Sequence, residues 1–200
     1  MNDGTLFYWF MWMGWIIATF LIKKGSVRNH SIFITLTGIT LSDTFIPFSL
    51  GNINATFLFF LCIGLIYLIK HTDQLFFYVT SCFIVATAYV SLELFALYDP
   101  VKLFFDKKYM IIIVLASLLI LFTKTYRDLF YIPIIGLVIG DTVFQFLIYR
   151  LSATIEIGSL YVMDLLVSTS MMLLFMVVLV DMFKKLRRTA FNKVTSAKQI

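Results

Sequence analysis

Four carboxylates stand within long apolar stretches of this 200-residue sequence: Asp43, Glu93, Asp141 and Asp164. An ionisable side chain in hydrocarbon costs about 2.5–3.5 kcal/mol on insertion scales, so each needs a reason to be there. Polar neighbours recur at helical spacing. Asp43 shares an arc with Thr40, Thr44 and Pro47, Asp141 has Gln145 one turn on, and Asp164 has Ser168. Inside a helix, Pro47 would free the carbonyl of Asp43, four residues earlier, and open a broken turn of the kind that lines transport sites. No lysine, arginine or histidine falls inside these stretches to pair with the acids. Carboxyls sharing a low-dielectric site without cations would hold and exchange protons, which suits a proton or cation relay. The bland alternative is that protonated acids hydrogen-bond to serine, threonine and backbone and glue helices together.

The elements that must carry these groups follow from composition. Hydrophobic residues are 61% and charged residues 14% of the chain, against about 45–50% and 25% in soluble domains. Too little charge remains to wet a globule, so the sequence predicts an all-α, polytopic transmembrane bundle. A spanning helix needs roughly 20 mostly apolar residues, and backbone polar groups in lipid must be satisfied within the segment. Seven spans meet this: 5–22, 31–50, 53–69, 75–98, 109–123, 129–149 and 159–180. Together with their short loops they make one bundle over 1–183, followed by a basic tail over 184–200. No loop is long enough to form a separate soluble domain.

Lysine and arginine set the orientation, because cytoplasmic loops retain positive charge. With the N-terminus outside, twelve of the 16 basic residues fall on the cytoplasmic side. The four outside are Lys102, Lys107, Lys108 and Arg150, with the two adjacent lysines expected to snorkel at the end of the fifth span. An N-out, C-in chain follows. The first span, with no basic residue before it and no small-residue cleavage site after it, reads as an anchor rather than a removed signal peptide. Lys184, Lys185, Arg187 and Arg188 follow the last span directly. Such a cluster retains topology and suits anionic lipid headgroups. The net charge of +5 sits mostly there and needs no nucleic acid to explain it.

In this map all four acids lie at a similar depth, about 7–12 Å below the outer boundary at 1.5 Å per residue. Two of them also sit in similar segments. Gly38, Asp43, Thr44 and Phe48 are matched by Gly136, Asp141, Thr142 and Phe146 at an offset of 98 residues. A real duplication would be parallel, with helices 1–3 repeated as 5–7, an arrangement found among transporters. Coincidence between two apolar helices is the competing explanation. Gly136 and Gly140 form a small-xxx-small pair on a different face from Asp141 and predict close helix packing.

Other side chains offer less. Trp9 and Trp12 suit the interfacial aromatic belt, and Trp15 lies deeper. Cys62 and Cys82 have no metal-ligand spacing, so neither a metal nor a cofactor is expected. His30 and His71 fall at the cytoplasmic face. Asn54-Ala-Thr56 matches a glycosylation acceptor but lies at the membrane edge. No GxSxG frame or phosphate loop occurs, so enzyme chemistry is the weakest reading.

The opening segment Leu6-Phe7-Tyr8-Trp9-Phe10-Met11-Trp12-Met13-Gly14-Trp15, running into Lys23-Lys24, resembles the YphA-like family of membrane proteins of spore-forming Gram-positive bacteria. The chain length and basic C-terminus fit as well. The resemblance implies the bacterial plasma membrane and a role around sporulation, and it carries no catalytic or binding residues over. The residues themselves favour a small transporter or proton- or cation-coupled carrier. The alternative is a non-enzymatic scaffold or accessory factor in envelope or spore assembly. Beyond the bilayer, the expected partners are a second copy of the chain or another membrane protein.

Overall fold

The computed structural model describes residues 3–70, 75–99, 106–123, 128–152 and 154–197. Lys102, Lys124, Arg127, His71 and Lys198 lie outside the described residues, as do the side chains of Arg187, Arg188 and Lys193. The described chain forms helices α1 (Thr5–Phe20), α2 (Ser26–Leu41), α3 (Ala55–Lys70), α4 (Leu75–Tyr98), α5 (Lys107–Phe122), α6 (Asp128–Ser152) and α7 (Leu160–Ala197). Between them stand three short strands, β1 (Phe45–Phe48), β2 (Gly51–Asn54) and β3 (Ile155–Ile157).

Three helices are long and apolar enough to cross a membrane, over Leu75–Tyr98, Phe130–Leu151 and Leu160–Lys185. Helices α1 and α3 are apolar but have 16 residues each, which is about 24 Å at 1.5 Å per residue. Large apolar side chains face outward, among them Trp9, Trp12, Phe20, Phe76 and Leu121. A soluble protein avoids such a surface, whereas lipid is its natural solvent. The buried core is built from Phe7, Phe57, Val85, Leu115, Leu137 and Leu165 on six different helices. At its centre α4 and α6 approach closely. A Cβ on Gly136 would lie 2.6 Å from the Val85 side chain, and one on Gly140 would lie 2.8 Å from Tyr89. The small-xxx-small spacing serves as expected, letting two backbones come together where no larger residue fits.

The segment 31–50 is not one helix. Helix α2 begins at Ser26 and ends at Leu41, and the chain then turns into the β1–β2 hairpin, paired antiparallel from Phe45↔Asn54 to Phe48↔Gly51. Strand β3 joins β2 in parallel, giving the order β1-β2-β3. Two residues explain the change of structure. Pro47 has no N–H to give and lies on the edge strand, where a missing ladder bond is tolerated. Gly51 passes so close beneath β3 that a Cβ there would lie 1.9 Å from the Ile155 carbonyl oxygen. Asn54 then closes the unit. Its buried amide donates to the Ser42 carbonyl (2.7 Å), and its side-chain oxygen accepts from Thr56 N–H (2.8 Å), capping α3. This buried role leaves no free acceptor for a sugar.

Candidate functional site

The starts of α1, α5 and α7, the end of α4 and the middle of α6 meet toward the side of the bundle that carries the sheet. Here the structure gathers three of the four sequence-predicted acids. Glu93, Asp141 and Asp164 are all 1% exposed or less.

Asp164 stands in the second turn of α7, beside the first turn of α1. Helix α1 has glycine at its N-cap and no side-chain cap of its own, so its first amides need acceptors from elsewhere. Asp164 supplies both. Its Oδ2 accepts from Gly4 N–H (2.9 Å) and its Oδ1 from Phe7 N–H (2.7 Å). The same Oδ2 pairs with Lys108 Nζ, which is also buried. A carboxylate at a helix N-terminus is favoured by the helix dipole, and here one residue serves that dipole and a cation together. Ser168, one turn on, does not join it, and its hydroxyl is buried without a hydrogen-bond partner among the described residues.

Glu93 lies near the end of α4. Its Oε2 pairs with Lys107 Nζ at 2.5 Å, the lysine side chain being 38% exposed and the glutamate 1%. Its Oε1 and the neighbouring Tyr161 hydroxyl are both buried and face each other, and neither makes a well-formed hydrogen bond among the described residues. Both lysine ammoniums stand over the Tyr161 ring, at 5.1 and 5.9 Å from its centroid, a cation–π arrangement. Asp106 anchors the start of α5 by accepting from Lys108 N–H (3.1 Å), which orients the lysine pair.

Asp141 sits within α6 and has no lysine or arginine partner among the described residues. Its Oδ2 accepts from Gly158 N–H (2.7 Å), and the Tyr89 hydroxyl reaches Oδ1 at 3.5 Å. Gln145, one turn on, reaches the same carboxyl. Gly158 can present its amide because it adopts φ +75°, a left-handed conformation that glycine takes without strain. Through Tyr89 the Asp141 carboxyl shares an electrostatic environment with Glu93 and Tyr161.

Two expectations are corrected. The acids are not without cations: Lys107 and Lys108 turn inward onto Glu93 and Asp164 instead of snorkelling outward. Long alkyl stems permit either direction, and buried carboxylates attract them inward. Asp43 does not join the layer. It is exposed in the turn after α2, where it accepts from Tyr8 OH (3.0 Å). Thr44 is exposed beside it, bonded to the Leu41 carbonyl (2.7 Å), and Pro47 is in β1, so no broken helical turn forms there. The residues that sequence reasoning missed are Lys107 and Lys108 as partners, and Tyr89, Tyr161 and Gly158. The adjacent lysines at the head of an apolar segment were the visible signal. The tyrosines gave none.

A model of the YphA-like integral membrane protein family matches residues 3–200. The uncharacterized protein YphA of Bacillus subtilis (strain 168) is 29% identical over 154 residues, which is 76% of this chain and 76% of that protein. No solved structure matches. A match over nearly the whole length, on a chain whose outer surface is apolar, places it: this chain belongs to the YphA-like integral membrane protein family.

Proposed function

We propose that the chain is a small carrier of the cell membrane with seven spans, N-terminus outside and C-terminus in the cytoplasm. The carboxylate–lysine layer relays a proton or small cation from the outer face. One observation carries this reading. Glu93 is fully buried, yet one of its carboxylate oxygens has no well-formed hydrogen bond among the described residues and faces the Tyr161 hydroxyl, while the other meets a lysine that reaches solvent. An unsatisfied buried polar atom costs about 1–3 kcal/mol, and a group that only glues helices has no reason to keep one. Glu93, Tyr161, Tyr89 and Asp141 form an electrostatically coupled series leading inward from Lys107. The exposed Lys184 and Lys185, on the continuation of α7, suit anionic headgroups on the cytoplasmic side.

A scaffold role is the second reading, and the bonding of Asp164 favours it. Both of its oxygens are engaged in capping α1 and pairing Lys108. Flux separates the two readings. In vesicles containing the purified chain and a trapped pH dye, an imposed ion gradient should drive proton movement above that of protein-free vesicles. Glu93→Gln, which keeps size but cannot ionise, should lower the rate about ten-fold or more with folded protein retained. Absence of flux in the unaltered chain favours the scaffold. Orientation has its own measurement. A reporter fused after Ile200 should read as cytoplasmic and one placed within 99–106 as exterior, and an exterior C-terminus would refute the seven-span arrangement.

A further inference from the structure

A cavity of about 360 Å³ lies among α1, α2, α3, α6 and α7, away from the carboxylate layer. Met11 and Gly14 of α1, Ile34 of α2, Phe60 of α3, Phe130 of α6 and Met171 of α7 line it, and the wall is overwhelmingly apolar. Ligand sites have this character: a volume of about 300–1,000 Å³ and a few polar groups that orient the occupant.

The polar groups here are incomplete in an instructive way. Hydroxyls on apolar helices ordinarily bond back to the carbonyl one turn earlier. Thr35, Thr40, Thr80, Ser81, Ser91 and Thr142 all do so. Ser168, Thr169 and Ser170 on α7 do not, and their hydroxyls are buried without partners among the described residues. Ser170, 3% exposed, lines the cavity. A second unsatisfied group stands at the cavity's α1–α2 loop end. Arg28 precedes the lining residues Ser31 and Thr35 by three and seven positions, so all three share one face of α2. Its Nε is buried and has no hydrogen-bond partner among the described residues. Exposed Lys23 and Lys24 flank the same end.

An apolar chamber with a buried hydroxyl in its wall and, at one end, a half-buried guanidinium whose Nε lacks a partner matches an anionic amphiphile. Guanidinium groups bind phosphate through several charge-assisted hydrogen bonds, and the chamber takes hydrocarbon. We propose that the cavity holds one acyl chain of an anionic membrane phospholipid whose phosphate rests on Arg28. The site is independent of the carboxylate relay and stands whether or not the chain is a carrier.

The test uses the full chain in phosphatidylcholine vesicles containing a trace of phosphatidylglycerol with a photoactivatable diazirine in one acyl chain. Adducts are mapped by peptide mass spectrometry. Labelling should concentrate at cavity residues such as Met11 and Met171, and excess unlabelled phosphatidylglycerol should lower it about ten-fold while excess phosphatidylcholine does not. Arg28→Gln should abolish that difference between the two lipids. Gly14→Leu should lower cavity labelling about ten-fold by filling the space, with thermal unfolding checked in parallel. Ser170→Leu provides a second filler should Gly14→Leu fail to fold. Adducts spread evenly over outward side chains such as Phe20, Phe33 and Phe76 would mean bulk lipid only and overturn the proposal. Displacement by inorganic phosphate would reduce the site to an anion pocket and overturn the acyl-chain assignment.

Discussion

The segments around Asp43 and Asp141 share glycine, aspartate, threonine and phenylalanine at the same spacing, and the structure sends them to opposite fates. Asp141 stays inside a 25-residue helix, fully buried, with a backbone amide on its carboxyl. Asp43 falls in a turn, exposed, one residue beyond the end of α2's cap. The packing differs as well: α1 lies mainly on α2, whereas α5 lies mainly on α7. The difference comes from what surrounds the shared residues. Gly136 and Gly140 press α6 onto α4 and exclude solvent from the face beside Asp141. After Asp43 come Pro47, Gly51 and Asn54, each of which favours hairpin over helix. A four-residue echo is too little sequence to decide a conformation that depends on its neighbours.

The largest effect should come from breaking the hairpin's attachment. Gly51→Val places a side chain on the Ile155 backbone, which has no side-chain freedom with which to yield. We expect a loss on the order of 4 kcal/mol or more, read as failure to accumulate folded protein in membranes. Because β3 leads straight into Gly158, this change should also expose Asp141 to carboxyl-modifying reagents. Asp141→Ala should be intermediate. It leaves the Gly158 amide without its acceptor, and a buried unsatisfied group costs about 1–3 kcal/mol, measurable as a lower melting temperature in detergent. Asp43→Ala should be smallest, within about 0.5 kcal/mol as for most exposed positions. Equal melting shifts for the two alanine variants would erase the distinction between the two segments.

Hydropathy made much of the architecture readable, because lipid imposes length and apolarity on whatever crosses it. It could not reveal the hairpin. Phe45-Ile46-Pro47-Phe48 is as apolar as a helix, and hydropathy counts apolar mass without regard to conformation. The glycine pair on α6 was readable because a four-residue step between small side chains has one geometric meaning. Inward ion pairing was not, since a lysine at a helix start can reach either way and only the position of Glu93 and Asp164 decides. Tyr89 and Tyr161 were invisible among ten tyrosines. Their polar ends matter through residues that lie far away in sequence.

Asp164 as the cap of α1 has a consequence for biosynthesis. Helix α1 lacks the acceptor for its leading amides until a residue 160 positions later has been made. At about 5–20 residues per second that wait is roughly 8–32 s. During it, water or headgroups must serve those amides, and Lys108 joins the nascent chain before its carboxylate exists. Completion of α7 therefore finishes α1, and a chain truncated before α7 has both an uncapped α1 and an unneutralised lysine by which quality control can recognise it.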